Sequence, residues 1–537
     1  MMLRGMTRKD FLRVAAAALV KNACAAKAPS AGPFVLKPEE FRRYVEDFNG
    51  MTQEEVQNYI PDEQAWEWMK RNVPFFTCAD GNVEQIYYFR WWVYRKHIKK
   101  TPLGFIITEF LKPVNHAGEY NALSCALGHH VAEGRWLHDR QFLDQDLFFW
   151  LRSGENGGLR KNLHQFSGWT AAALYDRWLA DGHRDFLISY LDPLIQDYSA
   201  WERERLTESG LFWQRDVSDG MESSISGGRR VRNIRPSINS YMYGNAKAIA
   251  AIAAMAGEEA VARSYRERAA RLRELVERRL WNRDAAFFET LLESGQFAGV
   301  RENIGFTPWY FDLPDDRAGY EVAWKQLMDP DGFHAPFGPT TAEQRSPNFR
   351  IAYEGDDCQW NGPSWPFATT ITLRALANVL NGYHQNAVSR EDYFQTFLIY
   401  TRSHRLKLEN GKVIPWIDEN LNPFSGEWLA RAMKIRKKRF YGRGDHYNHS
   451  GYADLVITGL VGLQPRPDPV VEINPLVPPG RWDWFCLDHV PYHGRLLTVV
   501  WDKTGGKFGK GKGLRVFADG REIAKSEKLT RIAGSLA

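Results

Sequence analysis

The sequence has little cysteine and little net charge, and both shortages narrow what the protein can do. Its five cysteines, Cys24, Cys78, Cys125, Cys358 and Cys486, lie far apart and form no Cys-x-x-Cys or Cys/His spacing. A zinc site and a disulfide framework are therefore not indicated. A formal net charge of +5 without a sustained basic block disfavours nucleic acid as a partner.

Long apolar runs are also missing. No internal stretch approaches the roughly 18 to 20 apolar residues that a membrane span needs.

A phosphate-binding loop is also not indicated. Gly506 to Lys512 has phosphate-loop spacing, but Gly513 stands where Ser or Thr should follow, in a predicted hairpin. We therefore expect no membrane span, no metal and no other cofactor. The oligomeric state cannot be read from the sequence.

The N-terminus resembles an export signal. Arg8-Lys9 stands where a twin-arginine motif has two arginines, a short apolar run follows from Val14 to Val20, and Ala26-Lys27-Ala28 has the pattern of a cleavage site. Residues 1–28 are therefore predicted to direct export, which would make the mature protein periplasmic or extracellular. A plain amphipathic start is the alternative.

Aromatic residues, in contrast, are abundant, with 20 Trp, 22 Tyr and 31 Phe. Most should fill the core, but several stand beside Gly, Pro or Asn instead of in apolar periodic runs. Flat rings can stack on the C–H faces of a sugar while neighbouring polar groups bind its hydroxyls. This pattern favours a carbohydrate as the substrate.

Helical patterns alternate with Gly-, Pro- and Asn-rich connections through the middle of the chain. The predicted helices are Trp169 to Ala180, Asn245 to Met255, Glu259 to Trp281, Trp365 to Leu380 and Tyr452 to Leu463. Strand patterns come late, at Arg495 to Trp501 and Gly513 to Ala518. We predict a mainly α protein with an N-terminal segment (29–110), a toroid of helical hairpins (111–465) and a small β-rich C-terminal domain (466–537).

Three polar-aromatic segments interrupt the helical pattern and are candidates for a shared cleft. They span residues 216–227 with 235–243, 353–366, and 416–428. All three contain acids, and those in the first and third include Asp219, Glu222, Asp418 and Glu419. Acetal hydrolysis needs one carboxylic acid to protonate the leaving oxygen and a second carboxylate to activate water or attack carbon. Composition alone cannot pair these acids, and Asp219 before a glycine also fits a simple turn.

Four motifs in these segments occur in the order typical of one family. They are Gly220-Met221-Glu222-Ser223-Ser224, Asn239-Ser240-Tyr241-Met242-Tyr243, Trp360-Asn361-Gly362-Pro363-Ser364-Trp365-Pro366 and Glu419-Asn420-Leu421-Asn422-Pro423-Phe424-Ser425-Gly426. Over about residues 110–465 the chain resembles the clan of inverting (α/α)6-toroid glycosidases, the six-hairpin glycosidases, which contains glycoside hydrolase family 63, trehalases and mannosylglycerate hydrolases. The segment Asp445 to Tyr452 fits the mannosylglycerate-hydrolase-like branch.

The resemblance implies roles for particular residues. Glu222 would be the general acid in place of the more usual Asp, with Asp219 as the alternative proton donor, and Glu419 would be the general base. Trp360, Asn361 and Trp365 would line the subsite of the released sugar. The full set of residues expected to bind substrate is Trp360, Asn361, Trp365, Tyr241, Asn239, His116 and Tyr447.

The implied reaction is hydrolysis of an α-linked glucoside or mannoside with inversion. One carboxyl should stay protonated near neutral pH while the other is ionised. Their separation should be roughly 6.5 to 9.5 Å, which leaves room for a water. The same toroid also serves epimerases and polysaccharide lyases, which would centre on His116 and Tyr447, and a non-catalytic carbohydrate-binding protein is a third possibility.

Overall fold

The computed structural model describes residues 34–351, 358–438 and 441–537. The predicted export signal at residues 1–28 lies outside these ranges, and so do residues 353–357 of the second polar-aromatic segment. Within the described ranges, no helix is both long enough and apolar enough to cross a membrane.

Helices dominate the chain up to about residue 460. The α-helices, labelled α1 to α15 in chain order, are Arg42–Asn49, Ala65–Asn72, Gly81–Lys96, Leu127–Gly134, Gln141–Arg152, Thr170–Asp181, Arg184–Ser189, Leu191–Arg205, Pro236–Ala256, Glu259–Arg279, Thr307–Tyr310, Pro366–Gly382, Arg390–Ser403, Leu429–Lys437 and Tyr452–Leu455. The helices predicted at 169–180, 259–281 and 365–380 are confirmed to within two residues at each end.

Two predicted helices had wrong bounds. Helix α9 begins at Pro236, not Asn245, because proline suits the first helical position and the polar residues after it are buried. Those residues have the composition of a loop. The second helix, α15, is followed by a π-helical turn, Val456–Leu460, so the α-helix ends well before the predicted Leu463.

A closed ring of buried helices forms the centre of the molecule. Helices α4, α6, α9, α11, α12 and α15 contact one another in that order, and α15 closes the ring onto α4. Helices α5, α8, α10 and α13 pack against this ring as partners of α4, α9 and α12. The arrangement is the predicted (α/α)6 toroid. Helix α3, from the N-terminal segment, packs against α13 and α15.

A buried polar network ties α3 to the chain just before α15. The guanidinium of Arg90 donates to the Ser450 hydroxyl at 2.6 Å and to the Ser450 carbonyl at 2.8 Å. Glu133 on α4 lies 3.6 Å from the same guanidinium. Because all three side chains are buried, their pairing is needed to offset desolvation, and it fixes the position of the 445–450 segment.

Strands are short within the toroid and longer at the C-terminus. In chain order, β1 to β16 are Phe75–Cys78, Ile98–Thr101, Gly104–Ile107, Trp213–Gln214, Asn233–Ile234, Trp281–Asn282, Phe287–Phe288, Arg405–Lys407, Val413–Pro415, Leu463–Gln464, Val470–Ile473, Trp484–Tyr492, Arg495–Asp502, Gly513–Ala518, Arg521–Ser526 and Ile532–Ser535.

The C-terminal strands form the predicted β-rich domain. One antiparallel sheet has the order β1-β12-β13-β14-β15, and a second has the order β10-β11-β16. Both predicted strands, β13 and β14, are confirmed. The edge strand β1 comes from the N-terminal segment, so this sheet joins both ends of the described chain.

Gly244, inside α9, provides a test of ring closure. A Cβ at this position would overlap the ring of Phe311, which follows α11. Gly244→Ala should therefore lower the free energy of unfolding by about 1–3 kcal/mol through overpacking, although alanine favours helix. Urea denaturation measures the change. Gly81→Ala in α3, where a Cβ meets nothing within 4 Å, is the matched control. Equal stability of the two variants would contradict this account of the ring.

Candidate active site

Glu419 lies in the loop between β9 and α14, and backbone pairing holds that loop. Leu421 and Ser364 exchange two backbone hydrogen bonds of 3.0 Å each, which joins this loop to the Trp-Asn-Gly-Pro-Ser-Trp-Pro segment. The Asn420 side-chain oxygen accepts from the Ala430 backbone N–H at 3.1 Å, at the first turn of α14. Two of the predicted segments therefore meet at Glu419.

The carboxylate of Glu419 is 1% exposed and is held by two cations. Its Oε1 accepts hydrogen bonds from Lys434 Nζ and, at 3.2 Å, from Arg443 Nε. The Cys358 thiol lies 3.6 Å from Oε2. Burial alone would raise the pKa of this carboxyl, but the charges of Lys434 and Arg443 outweigh it and lower the pKa to about 2. Glu419 is therefore ionised at all ordinary pH values.

Gly444 lets the chain pass close to this carboxylate. A Cβ on Gly444 would overlap Asp418 Oδ1 and crowd the side chain of Glu419. Asp418 Oδ1 in turn accepts from the Glu419 backbone N–H at 2.8 Å. Through this hydrogen bond, the second acid of the loop supports the local structure, and burial raises its pKa to about 6.

Asp219 anchors the loop that carries Glu222. Asp219 Oδ2 lies 2.9 Å from Arg235 Nε, and both side chains are buried. The Ser237 hydroxyl donates to the same oxygen. Since Arg235 and Ser237 stand at the start of α9, the pair fixes the loop to the inner ring. Because Oδ2 of Asp219 pairs with a buried guanidinium, this geometry favours Glu222 over Asp219 as the proton donor.

Glu222 lies beyond this anchor and is partly exposed. Burial of its carboxyl raises the pKa to about 7, the charges of Glu419 and Asp216 add to the rise, and Arg229 opposes it. Glu222 and Glu419 thus come from distant loops, influence each other electrostatically, and have opposite protonation states below about pH 7. This asymmetry is the one expected of an acid and a base.

A third carboxyl in the cleft, Glu109, was not predicted. It follows β3 and is 4% exposed, and the Tyr447 hydroxyl donates to its Oε1. Burial raises the pKa of Glu109 to about 7, and the charges of Glu222 and Glu419 contribute. Its Oε2 has no hydrogen-bond partner among the described residues. The only sequence signal was an acid directly after an apolar strand, which is too common to single out.

The predicted indole wall is present as a stacked pair. The rings of Trp360 and Trp365 are 4.5 Å apart and nearly parallel, at 12°. Both are buried, and Trp365 Nε1 donates to the Gln359 carbonyl at 2.7 Å. Within the described chain, Trp360 Nε1 and Asn361 Oδ1 are buried without a hydrogen-bond partner. Unsatisfied buried polar atoms of this kind are uncommon in folded proteins.

The other predicted sugar-binding residues differ in position. Tyr447 and His116 are both within the electrostatic influence of Glu419, and His116 is exposed at the rim. Tyr241 is buried against Trp169, with rings 4.9 Å apart. Asn239 was predicted wrongly, because its side chain is occupied by the Phe212 backbone, accepting from N–H and donating to C=O at 2.8 Å each. Its polarity serves the packing of α9.

Comparison with known families gives two matches. The mannosylglycerate hydrolase MGH1-like glycoside hydrolase domain matches residues 119–450, most of the toroid. The chain belongs to this family. The C-terminal domain of glycosyl hydrolase family 65 matches residues 466–524, in the β-rich domain. The predicted resemblance is therefore confirmed, and both catalytic candidates lie inside the first match.

Solved structures support the same fold. A structure named sialidase is 46% identical with a TM-score of 0.89, over 95% of this chain and 46% of that chain. This chain thus spans less than half the length of that protein. A GH78 family rhamnosidase of Bacillus sp. GL1 (14% identity, TM-score 0.55, 83% of this chain and 41% of that one) and an α-L-rhamnosidase from Dictyoglumus thermophilum (12%, 0.52, 85% and 45%) share the fold.

The different surroundings of Asp219 and Glu222 predict opposite effects on stability. Asp219→Asn leaves Arg235 as an unpaired buried charge and should cost about 3–5 kcal/mol of unfolding free energy.

Glu222 binds its proton more tightly in the folded protein, so its contribution to stability falls as pH rises from its ordinary pKa of 4.5 to about 7. Glu222→Gln should therefore raise the melting temperature relative to wild type more at pH 8 than at pH 5. Thermal melts at both pH values measure this; a pH-independent difference would contradict the raised pKa.

Proposed function

We propose that the protein hydrolyses an α-linked glycoside with inversion of configuration, with Glu222 as general acid and Glu419 as general base. The observation that carries the proposal is the contrast between two carboxyls from distant loops: Lys434 and Arg443 hold Glu419, whereas no cation is paired with Glu222 among the described residues. The cations lower the pKa of Glu419 to about 2, and burial together with the charge of Glu419 raises the pKa of Glu222 to about 7. Membership of a glycoside hydrolase family supports the reaction class. The preference for glucosides or mannosides rests on the resemblance to the clan.

In the proposed reaction Glu222 gives its proton to the glycosidic oxygen as the bond to the anomeric carbon breaks. Below about pH 7 the carboxyl carries this proton. Its partial exposure leaves it accessible to substrate in the cleft. A neutral acid with a pKa near the working pH is both populated and able to donate, which is the compromise that general acid catalysis needs.

Glu419 would receive a proton from the attacking water. Its Oε1 is held by Lys434 and Arg443, while the Cys358 thiol is the near neighbour of Oε2. We assign Oε2 as the oxygen that orients the water. The two cations lower the basicity of Glu419, but they keep its carboxylate ionised and fixed. In an oxocarbenium-like transition state the orientation of the water matters most.

The geometry favours hydrolysis over the epimerase and lyase alternatives. Those reactions need a side chain that removes a proton from carbon. The Tyr447 hydroxyl instead donates to Glu109, and burial raises the pKa of Tyr447 well above its usual range. His116 is exposed, and the neighbouring Arg443 charge helps to lower its pKa. Neither is placed as the central base.

Proton NMR tests the reaction and its stereochemistry. The panel contains α-glucosides, α-mannosides and glycosyl-glycerates, with a sialoside and an α-L-rhamnoside added because the similar structures carry those names. We expect the β-anomer of a released α-glycoside sugar to appear first. Glu222→Gln and Glu419→Gln should each lower kcat at least about 10³-fold, since each removes a proton-transfer step.

Glu343→Gln serves as the control variant, because this buried carboxylate pairs with Arg301 at 2.7 Å and has no contact with the proposed acid or base among the described residues. This variant should mainly lower the free energy of unfolding, with a smaller effect on kcat per folded molecule. First appearance of the α-anomer would contradict inversion. Full activity of either site variant would contradict the assigned roles, and sugar binding without any release would favour a binding protein.

The pH dependence of kcat/KM tests the role of Lys434. In wild type the rate should fall as pH rises through about 7, when Glu222 loses its proton, and no acid limb should appear above about pH 3. Lys434→Met removes one of the cations that lower the pKa of Glu419. The acid limb should therefore move up, into the range from about 3 to 5, while the alkaline limb remains.

Arg436→Met is the matched control, since Arg436 is an exposed cation on the same helix α14. It should leave both limbs in place. An acid limb that is the same in Lys434→Met and in wild type would show that Lys434 does not control the ionisation of the base.

A further inference from the structure

A cluster of arginines surrounds one indole on the hairpin that carries Glu222. The guanidinium carbons of Arg205, Arg232 and Arg215 lie 4.6, 4.9 and 6.0 Å from the centre of the Trp213 ring. Trp213 is partly exposed and Arg232 is exposed. We call these four residues the arginine platform. Cation–π contact holds the guanidinium planes near the indole ring, and the exposed Arg232 can reach other partners.

Carboxylates do not neutralise this platform. Among the described residues, none of its three guanidiniums has a carboxylate oxygen within 4.0 Å, and the Nε atoms of Arg205 and Arg215 are buried without a hydrogen-bond partner. Two acids in the neighbourhood make other contacts: Glu204 contacts the His164 ring at 3.1 Å, and Glu293 accepts from the Arg232 backbone N–H at 2.8 Å.

Like charges are therefore close together without compensation. The pKa of Arg205 is lowered by burial and by repulsion from Arg215 and Arg232, with only partial relief from Glu204. Three neighbouring guanidiniums repel one another, and an anion between them would remove that repulsion and gain charge-assisted hydrogen bonds. An arrangement of this kind costs stability in the free protein, which favours a ligand as the reason for it.

The platform lies on the chain that forms the cleft. Trp213 in β4 pairs with Ile234 in β5, and the loop between these two strands carries Glu222. Arg229, on the same loop, is exposed and acts electrostatically on the Glu222 carboxyl. A ligand bound to the platform would therefore contact the base of the hairpin whose loop carries the proposed acid.

We propose that the arginine platform binds the oxyanion groups, carboxylate or sulfate, of an acidic polysaccharide whose terminal or internal sugar enters the cleft. This inference rests on the proposed function for its choice of a glycan as the anion. Guanidinium forks match the geometry of both carboxylate and sulfate. Sugar rings spaced along a chain would place successive anionic groups against neighbouring arginines. The substrate class is then a charged glycan.

Binding measurements on inactive protein test this without turnover. Glu222→Gln protein is titrated calorimetrically at about 0.15 M salt with oligogalacturonate, heparin oligosaccharide, neutral dextran and a single-stranded DNA oligonucleotide. We expect binding to at least one acidic glycan, none to dextran, and weaker binding to DNA of the same charge. The ratio of oligogalacturonate to heparin affinity distinguishes carboxylate from sulfate as the preferred group.

Two triple variants with equal charge change provide the comparison. The platform variant is Arg205→Gln/Arg215→Gln/Arg232→Gln. The control is Lys507→Gln/Lys510→Gln/Lys512→Gln on the turn between β13 and β14, where Lys507 lies 4.2 Å from the Trp484 ring centre and Lys510 lies 5.6 Å from that of Phe517. The platform variant should bind acidic glycan at least about tenfold more weakly, since three ion pairs are lost, and the control should change less than about twofold.

Several outcomes would overturn the proposal. They are equal losses in both triple variants, DNA binding as tight as glycan binding, and no acidic-glycan binding by the parent protein. If the platform triple variant does not fold, the single exposed change Arg232→Gln should still weaken binding about twofold or more; no change would count against the platform.

Hydrolysis of neutral glycosides by wild type without acidic-glycan binding would overturn this inference alone. Acidic-glycan binding without release of any sugar would contradict only the proposed function.

Discussion

The contact on which the site depends is the pairing of buried Glu419 with Lys434 and Arg443. A carboxylate that is 1% exposed would take up a proton if it had no cation beside it. The two cations come from α14 and from the chain beyond it, so the position of that helix decides whether Glu419 is charged. The Asn420 cap and the close passage of Gly444 therefore matter to chemistry as well as to folding.

The same cleft holds its other carboxyls in the opposite state. Glu222 and Glu109 have no lysine or arginine paired with them among the described residues, and burial raises the pKa of each to about 7. The negative charge of Glu419 adds to both shifts. One ion-paired carboxylate thus helps to keep two neighbours protonated. Acid and base are distinguished by their partners, since all three are the same residue type.

Much of this could be predicted from the sequence, and the rest could not for physical reasons. Periodicity predicts the helical hairpins and the late strands, and the resemblance to the six-hairpin glycosidases implies the toroid and the pair Glu222 and Glu419. Lys434 could not be singled out, because it stands in a run of basic residues with the composition of an exposed helix face, and only the tertiary fold turns it toward Glu419. Asn239 was predicted from its motif to bind substrate, but its amide instead forms hydrogen bonds with the backbone of Phe212.

The protonation state of Glu109, the third carboxyl, affects the pKa of Glu222. If it were ionised, it would add a second negative charge to the cleft, and the pKa of Glu222 would rise further. The Tyr447 hydroxyl donates to one oxygen of Glu109, and the other oxygen has no partner among the described residues. That oxygen is buried, and burial keeps Glu109 protonated up to about pH 7. A protonated Glu109 adds no charge beside Glu222, so Glu222 keeps the pKa of about 7 that its proposed role as an acid requires.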